Sequence, residues 1–233
     1  MSDFKEVVLV PSQLLTASMW AAQVAALSHI AHFSVARHGE DATISGMADR
    51  LLLDAPDRFH LVVQGMGGFV SFEVMRQSPE RVLSLVLIGT VASADGPAQT
   101  ERRQTYSRLV ESGQFSRVIE ERIPLLLHPG SASDAGLLFT LRTMAEETGA
   151  ETFLRQQDAI ISRADSRDSI REIKCPALIV RGSHDGITSD AYFEELCRLI
   201  PGARGCTIDA SGHLPTLEQP AQMTALLQDW LLR

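Results

Sequence analysis

A mostly parallel, doubly wound α/β sheet of about six strands, with a helical cap inserted after the fourth, is the fold this sequence predicts. Three observations predict it. Short apolar runs without polar alternation recur along the chain, as strands covered on both faces require. Helical patterns separate these runs, and alternation of strand and helix implies a parallel sheet. The alternation then breaks over 98–173, where helical patterns follow one another with no convincing strand.

The first strand is EVVLV at 6–10, and a helical pattern follows over 19–27. HFSVA at 32–36 is the second strand, and the next helix covers 44–54, with Met47, Leu51 and Leu52 at helical spacing. FHLVVQ at 59–64 runs through a glycine-rich turn into a helix over 69–77, and LSLVLIG at 83–89 is the fourth strand. QTERRQTYSRLVESG, SDAGLLFTLRTMAEETG and AETFLRQQDAIISRAD then read as successive helices, with HPGSAS at 128–133 the most loop-like piece between them. ALIVRG at 177–182, a helix over 191–199 and GCTIDA at 205–210 restore the alternation. The last helix covers 221–232, with Pro220 near its first turn, where proline is tolerated. Residues 1–97 and 174–233 are thus expected to form the core, and 98–173 the cap.

Composition narrows the function classes. The 233 residues are 45% hydrophobic, enough for one large core with an insertion. A net charge of −8 argues against nucleic acid, because phosphate binding needs a basic face. Cys175, Cys197 and Cys206 are odd in number and lack metal spacing, so thiols in a reducing compartment are expected. The stretch MSDFKEVVLV has no long apolar region or cleavage site of a signal peptide. The longest apolar runs fall short of the ~20 residues that span a bilayer. A cytoplasmic protein with no membrane segment, acting on a small molecule, is the expectation.

The segment QGMGG at 64–68 is the first candidate for chemistry. A phosphate-binding loop would continue into Lys and Ser or Thr, and none follows. A dinucleotide fingerprint would place a third glycine where Val70 stands and an acid at the end of the next strand, which reads LSLVLIGT. The remaining reading is a nucleophile elbow, G-x-S-x-G on a strand–turn–helix, with Val63, Gln64, Gly65, Met66 and Gly67 in the five positions. Such a fold takes its acid and histidine, in that order, from loops after later strands. Asp185 in RGSHDGITS follows the fifth strand, and His213 in ASGHLPTLEQP follows the last. Both therefore fall at carboxyl ends of parallel strands, where open α/β sheets place their sites.

On these residues the chain resembles the α/β-hydrolase fold superfamily, near its small capped esterase-like members. The segments carrying the resemblance are VVLVPSQLLTASMW, ARHGEDATISGMADRL, FHLVVQGMGGFVSFEVMRQSPERVLSLVLIGT, CPALIVRGSHDGIT and SGHLPTLEQP, with the third the most specific. The resemblance makes Asp185 the orienting acid, His213 the general base, and the backbone N–H groups of Gln13 and Met66 the oxyanion hole. Gln64 stands where such elbows often carry histidine. No cofactor and no metal are implied. Arg37 and His38, after the second strand, are expected at the surface.

Three departures cluster at one place. Ser12 stands for an oxyanion-loop glycine, Val63 for the first elbow glycine, and Gly65 for the nucleophile. Glycine adopts positive φ at little cost, so the turn survives the change. An acyl-enzyme at residue 65 does not, because glycine offers no oxygen. Several accounts stay open. His213 and Asp185 act as a dyad on water or on a substrate proton, in hydrolysis or in lyase or oxygenase chemistry. Ser12 supplies another hydroxyl, or merely makes a turn hydrogen bond. The chain is a non-catalytic binder, or an esterase inactivated by a Ser→Gly change. The reading taken is a dyad enzyme acting on a small apolar ester or lactone; the apolar preference comes from the Leu, Ile, Phe and Met of the cap. Met144, Phe139 and Phe153 are candidates for its pocket, or for packing between helices.

Overall fold

The computed structural model describes residues 4–233. Six strands form one sheet in the order β2-β1-β3-β4-β5-β6, and all five pairings are parallel. They are β1 (Lys5–Val10), β2 (Ala31–Val35), β3 (Phe59–Gln64), β4 (Val82–Ile88), β5 (Ala177–Gly182) and β6 (Arg204–Ile208). The helices of the alternating part are α1 (Ala21–Leu27), α2 (Ile44–Asp54), α3 (Gly67–Gln77), α8 (Asp190–Leu199), the short α9 (Pro215–Glu218) and α10 (Pro220–Leu231). Between β4 and β5 run α4 (Pro97–Glu111), α5 (Phe115–Arg122), α6 (Ala135–Thr148) and α7 (Ala150–Ser162), with no strand among them.

Apolar runs are needed because both faces of the sheet are covered. Val7, Leu9, Val62, Val86, Ile88, Leu178 and Val180 point into one core cluster, with Leu27 of α1 and Leu227 of α10. Val8, Val10, Leu61, Val63, Leu85, Leu87 and Ile179 point into the other, with Met47 of α2, Val70 of α3 and Leu196 of α8. Alternate residues of each strand therefore serve opposite layers. The first cluster also contains Val118, Leu141, Met144 and Phe153 of the β4–β5 helices, so these share the main core.

The expected strands are matched within one or two residues, with one difference of consequence. The sixth strand ends at Ile208 instead of 210, because Ala210 takes φ +51° and turns the chain toward the site. The sheet reverses its winding direction between β1 and β3, and the crevice beyond such a switch point is where open α/β sheets bind ligands.

Candidate active site

The strand ladder continues past the strand ends and fixes the loops that carry the site. Gly65 N–H donates to the Ile88 carbonyl, and Gly89 N–H to the Val180 carbonyl, both at 2.9 Å. Gly65 has φ +53°, a region that costs a residue with a side chain about 1–2 kcal/mol and glycine little. A Cβ on Gly65 would stand 3.3 Å from His213 Nε2 and would overlap Ser12 Oγ. Gly89, also at φ +53°, presses against the dyad: a Cβ there would lie 3.0 Å from the His213 ring.

His213 and Asp185 meet as expected from chain order. His213 Nδ1 lies 2.9 Å from Asp185 Oδ2 and 3.1 Å from Oδ1. Asp185 Oδ1 also accepts from the N–H groups of Ile187 and Thr188, each at 2.9 Å. Burial alone would raise the Asp185 carboxyl, but the neighbouring His213 and these two N–H donors outweigh it and hold the group below the usual carboxylate range. The histidine loop is tied down on three sides. His213 N–H donates to the Leu126 carbonyl at 2.8 Å. Gln64 Nε2 donates to the His213 carbonyl at 2.6 Å, while Gln64 Oε1 accepts from Thr216 Oγ1 at 3.1 Å. Glu218 accepts from Gly212 N–H and from His128 N–H, both at 2.7 Å. Gln64 is thus buried scaffolding of the histidine loop and does not line the cavity. Glu218 was not read from the sequence; its place in LPTLEQP carries no signal beyond ordinary helix chemistry.

Ser12, Gln13 and Met66 gather on the opposite side. Among the described residues, the N–H groups of Gln13 and Met66 make no hydrogen bond, which leaves both free as donors. The turn after β1 is closed by Leu15 N–H donating to the Ser12 carbonyl at 3.2 Å, with Leu14 at φ +65°. The turn uses the carbonyl of Ser12, and its hydroxyl is left without a partner among the described residues. His38 corrects an expectation. It is buried, not at the surface: its Nε2 lies 3.5 Å from Gln156 Nε2 of α7, and burial lowers its pKa. Arg37 is exposed as expected, paired with Asp54 and Glu40.

These groups open onto a cavity of about 100 Å³ lined by Ser12, Gly65, Met66, Thr90 and His213 on the sheet side. Arg102, Arg103, Arg122 and Arg163 line its other side with Asp95. Phe69, Val91, Leu126, Ile160 and Ile187 line it as well, so the expected apolar pocket is mixed: apolar side chains share its wall with four arginines. Met144 and Phe153 pack in the core and Phe139 is 70% exposed, so the three apolar candidates do not line the cavity, whereas Leu126 and Ile160 do. The arginines were missed because RR in QTERRQTYSRLVESG has the look of a solvated helix face. Among the described residues, no group of His, Cys, Asp and Glu is arranged to hold a metal ion. Among the described residues, no helix is long and apolar enough to cross a membrane.

Comparison with known proteins identifies the fold and family. A pimeloyl-[acyl-carrier protein] methyl ester esterase of Aeromonas salmonicida is 23% identical over 198 residues, covering 82% of this chain and 78% of that protein. A thermophilic esterase from Thermogutta terrifontis superposes with a TM-score of 0.89 at 29% identity, covering 97% of this chain and 89% of that one. The enol-lactonase from Burkholderia xenovorans LB400 gives a TM-score of 0.89 at 25% identity, covering 99% and 92%. The sequence profile of the alpha/beta hydrolase family matches residues 7–226. With this match over nearly its whole length, the chain belongs to the alpha/beta hydrolase family.

Proposed function

We propose that the chain hydrolyses a small ester or lactone through a His213–Asp185 dyad, with no side chain of residue 65 taking part. The observation that carries this reading is His213 hydrogen-bonded to Asp185, with Nε2 directed at the Gly65 turn beside the N–H groups of Gln13 and Met66, which are free among the described residues. His213 Nε2 takes a proton from the attacking water. The Gln13 and Met66 N–H groups receive the developing oxyanion, and Asp185 stabilises the imidazolium. His213 then returns the proton to the leaving oxygen. Residues 98–173 act as the cap that shapes the substrate. The three cysteines are free and half-buried, which fits a reducing compartment such as the cytoplasm. A panel of aryl esters and lactones tests the reading: turnover that disappears in His213→Ala supports it, and an inactive chain that gains turnover only in Gly65→Ser contradicts it.

One observation favours a second route. Ser12 Oγ fills the space that a side chain at residue 65 would enter, and it has no hydrogen-bond partner among the described residues. In that route Ser12 Oγ passes its proton to His213, attacks the carbonyl and expels the alcohol, and water then hydrolyses the Ser12 ester. Mass spectrometry during turnover separates the two. An acyl adduct on Ser12 that is lost with activity in Ser12→Ala establishes the serine route. Full activity in Ser12→Ala leaves the water route.

A further inference from the structure

We infer that the substrate of this site carries a free carboxylate and that Arg122 binds it. The inference rests on the hydrolytic reading above and names its substrate class. Four guanidinium groups line the cavity against one lining carboxylate, Asp95. That carboxylate is already engaged, with one oxygen 2.7 Å from Arg163 and the other 2.5 Å from Arg103. Among the described residues, Arg102 and Arg122 have no carboxylate within ion-pair distance.

The two unpaired arginines differ. Arg102 is exposed, and solvent serves it. Arg122 is partly buried, its Nε is enclosed without a hydrogen-bond partner, and its guanidinium lies 5.3 Å from the Tyr106 ring centroid and 5.9 Å from that of Phe153. Burial, aided by the nearby Arg103, lowers its pKa to about 10, so it is still a cation at neutral pH. Buried charges in folded proteins are normally paired, and an arginine serving only the fold would be expected to have a carboxylate of its own. An unpaired guanidinium at a cavity calls for an anionic ligand, and its fork suits a carboxylate held by two parallel hydrogen bonds. The acid would lie with its carboxylate at the arginine end of the cavity and its reacting carbonyl at the His213 end, which a short chain spans.

The test combines a probe that cannot react with two esters matched in length. Succinate binding is measured by calorimetry, and kcat/KM is compared for monomethyl succinate and methyl butyrate. Succinate binds the unaltered chain, and the anionic ester is preferred by about 10-fold or more, as charged hydrogen bonds allow. Arg122→Met abolishes both effects with an unchanged or higher Tm, while Arg122→Lys retains part of each. Arg102→Gln, at the exposed rim, changes them less. Equal succinate affinity in Arg122→Met, or no preference for the anionic ester in the unaltered chain, overturns the inference. Binding of succinate through Arg122 without hydrolysis of either ester would refute the catalytic reading and leave this one standing. Hydrolysis of both esters at equal rates would do the reverse.

Discussion

The floor of the cavity and its helical wall solve different problems. At the floor, Asp185 is satisfied by His213 and two backbone N–H groups, and His213 is held by the Leu126 carbonyl and by Gln64. On the wall, Arg103 and Arg163 share Asp95, while Arg122 keeps an enclosed Nε with no partner among the described residues. A floor with its partners in place stays put and positions a base. A wall with unmet charge is incomplete until a ligand arrives. In the proposed function, reaction type is a property of the strand ends, and substrate choice a property of the inserted helices.

The largest effect breaks the floor. His213→Ala removes the general base and lowers kcat/KM on small esters by about 10²–10⁴-fold, read from initial rates against a chain of unchanged Tm. Next comes the one ion cluster on the wall that is fully paired. Asp95 is held below the usual carboxylate range: burial opposes ionisation, but Arg163 and Arg103 outweigh it. Its folded pKa lies below the unfolded value of about 4, so its stabilising contribution is complete at neutral pH and is lost as pH falls through the folded value. Asp95→Asn leaves two arginines unpaired, costs about 3–5 kcal/mol in urea unfolding at neutral pH, and flattens the acid decline of stability. An unchanged acid decline would show that the cluster contributes nothing.

Smaller effects sharpen the comparison. Gly65→Ser places a side chain at φ +53° and against Ser12 Oγ, costing about 1–2 kcal/mol of stability from the backbone alone. The double change Gly65→Ser with Ser12→Gly recovers the steric part of that loss, which thermal unfolding of the two variants resolves. The smallest stability effect is on the wall. Arg122→Met changes Tm little or raises it, because replacing a buried unpaired charge by an apolar chain is neutral to favourable. A large drop in Tm would assign Arg122 to the fold instead of the ligand.

The same division explains what the sequence could show. Asp185 and His213 were legible because each follows an apolar strand, and strand ends fix position whatever the side chains around them. The Gly65 turn was legible because glycine, strand and helix patterns abut. His38 was not: ARHGED reads as a polar loop, and its burial comes from Gln156 of α7, more than a hundred residues away. Arg122 was hidden for the same reason. FSRVIEER alternates charge and apolar residues as any surface helix does, and only its packing on Tyr106 and Phe153 withdraws that guanidinium from solvent. The apolar content of residues 98–173 pointed to an apolar pocket and missed its arginines because composition does not say which side chains of a helix face the cavity.

Steady-state hydrolysis of phenyl acetate by the unaltered chain and by His213→Ala, at neutral pH and with Tm checked for both, tests the central claim most directly. The account predicts turnover by the unaltered chain and a loss of about 10²-fold or more in the variant. Equal rates in the two proteins would remove His213 from the chemistry and, with it, the dyad mechanism proposed for this chain.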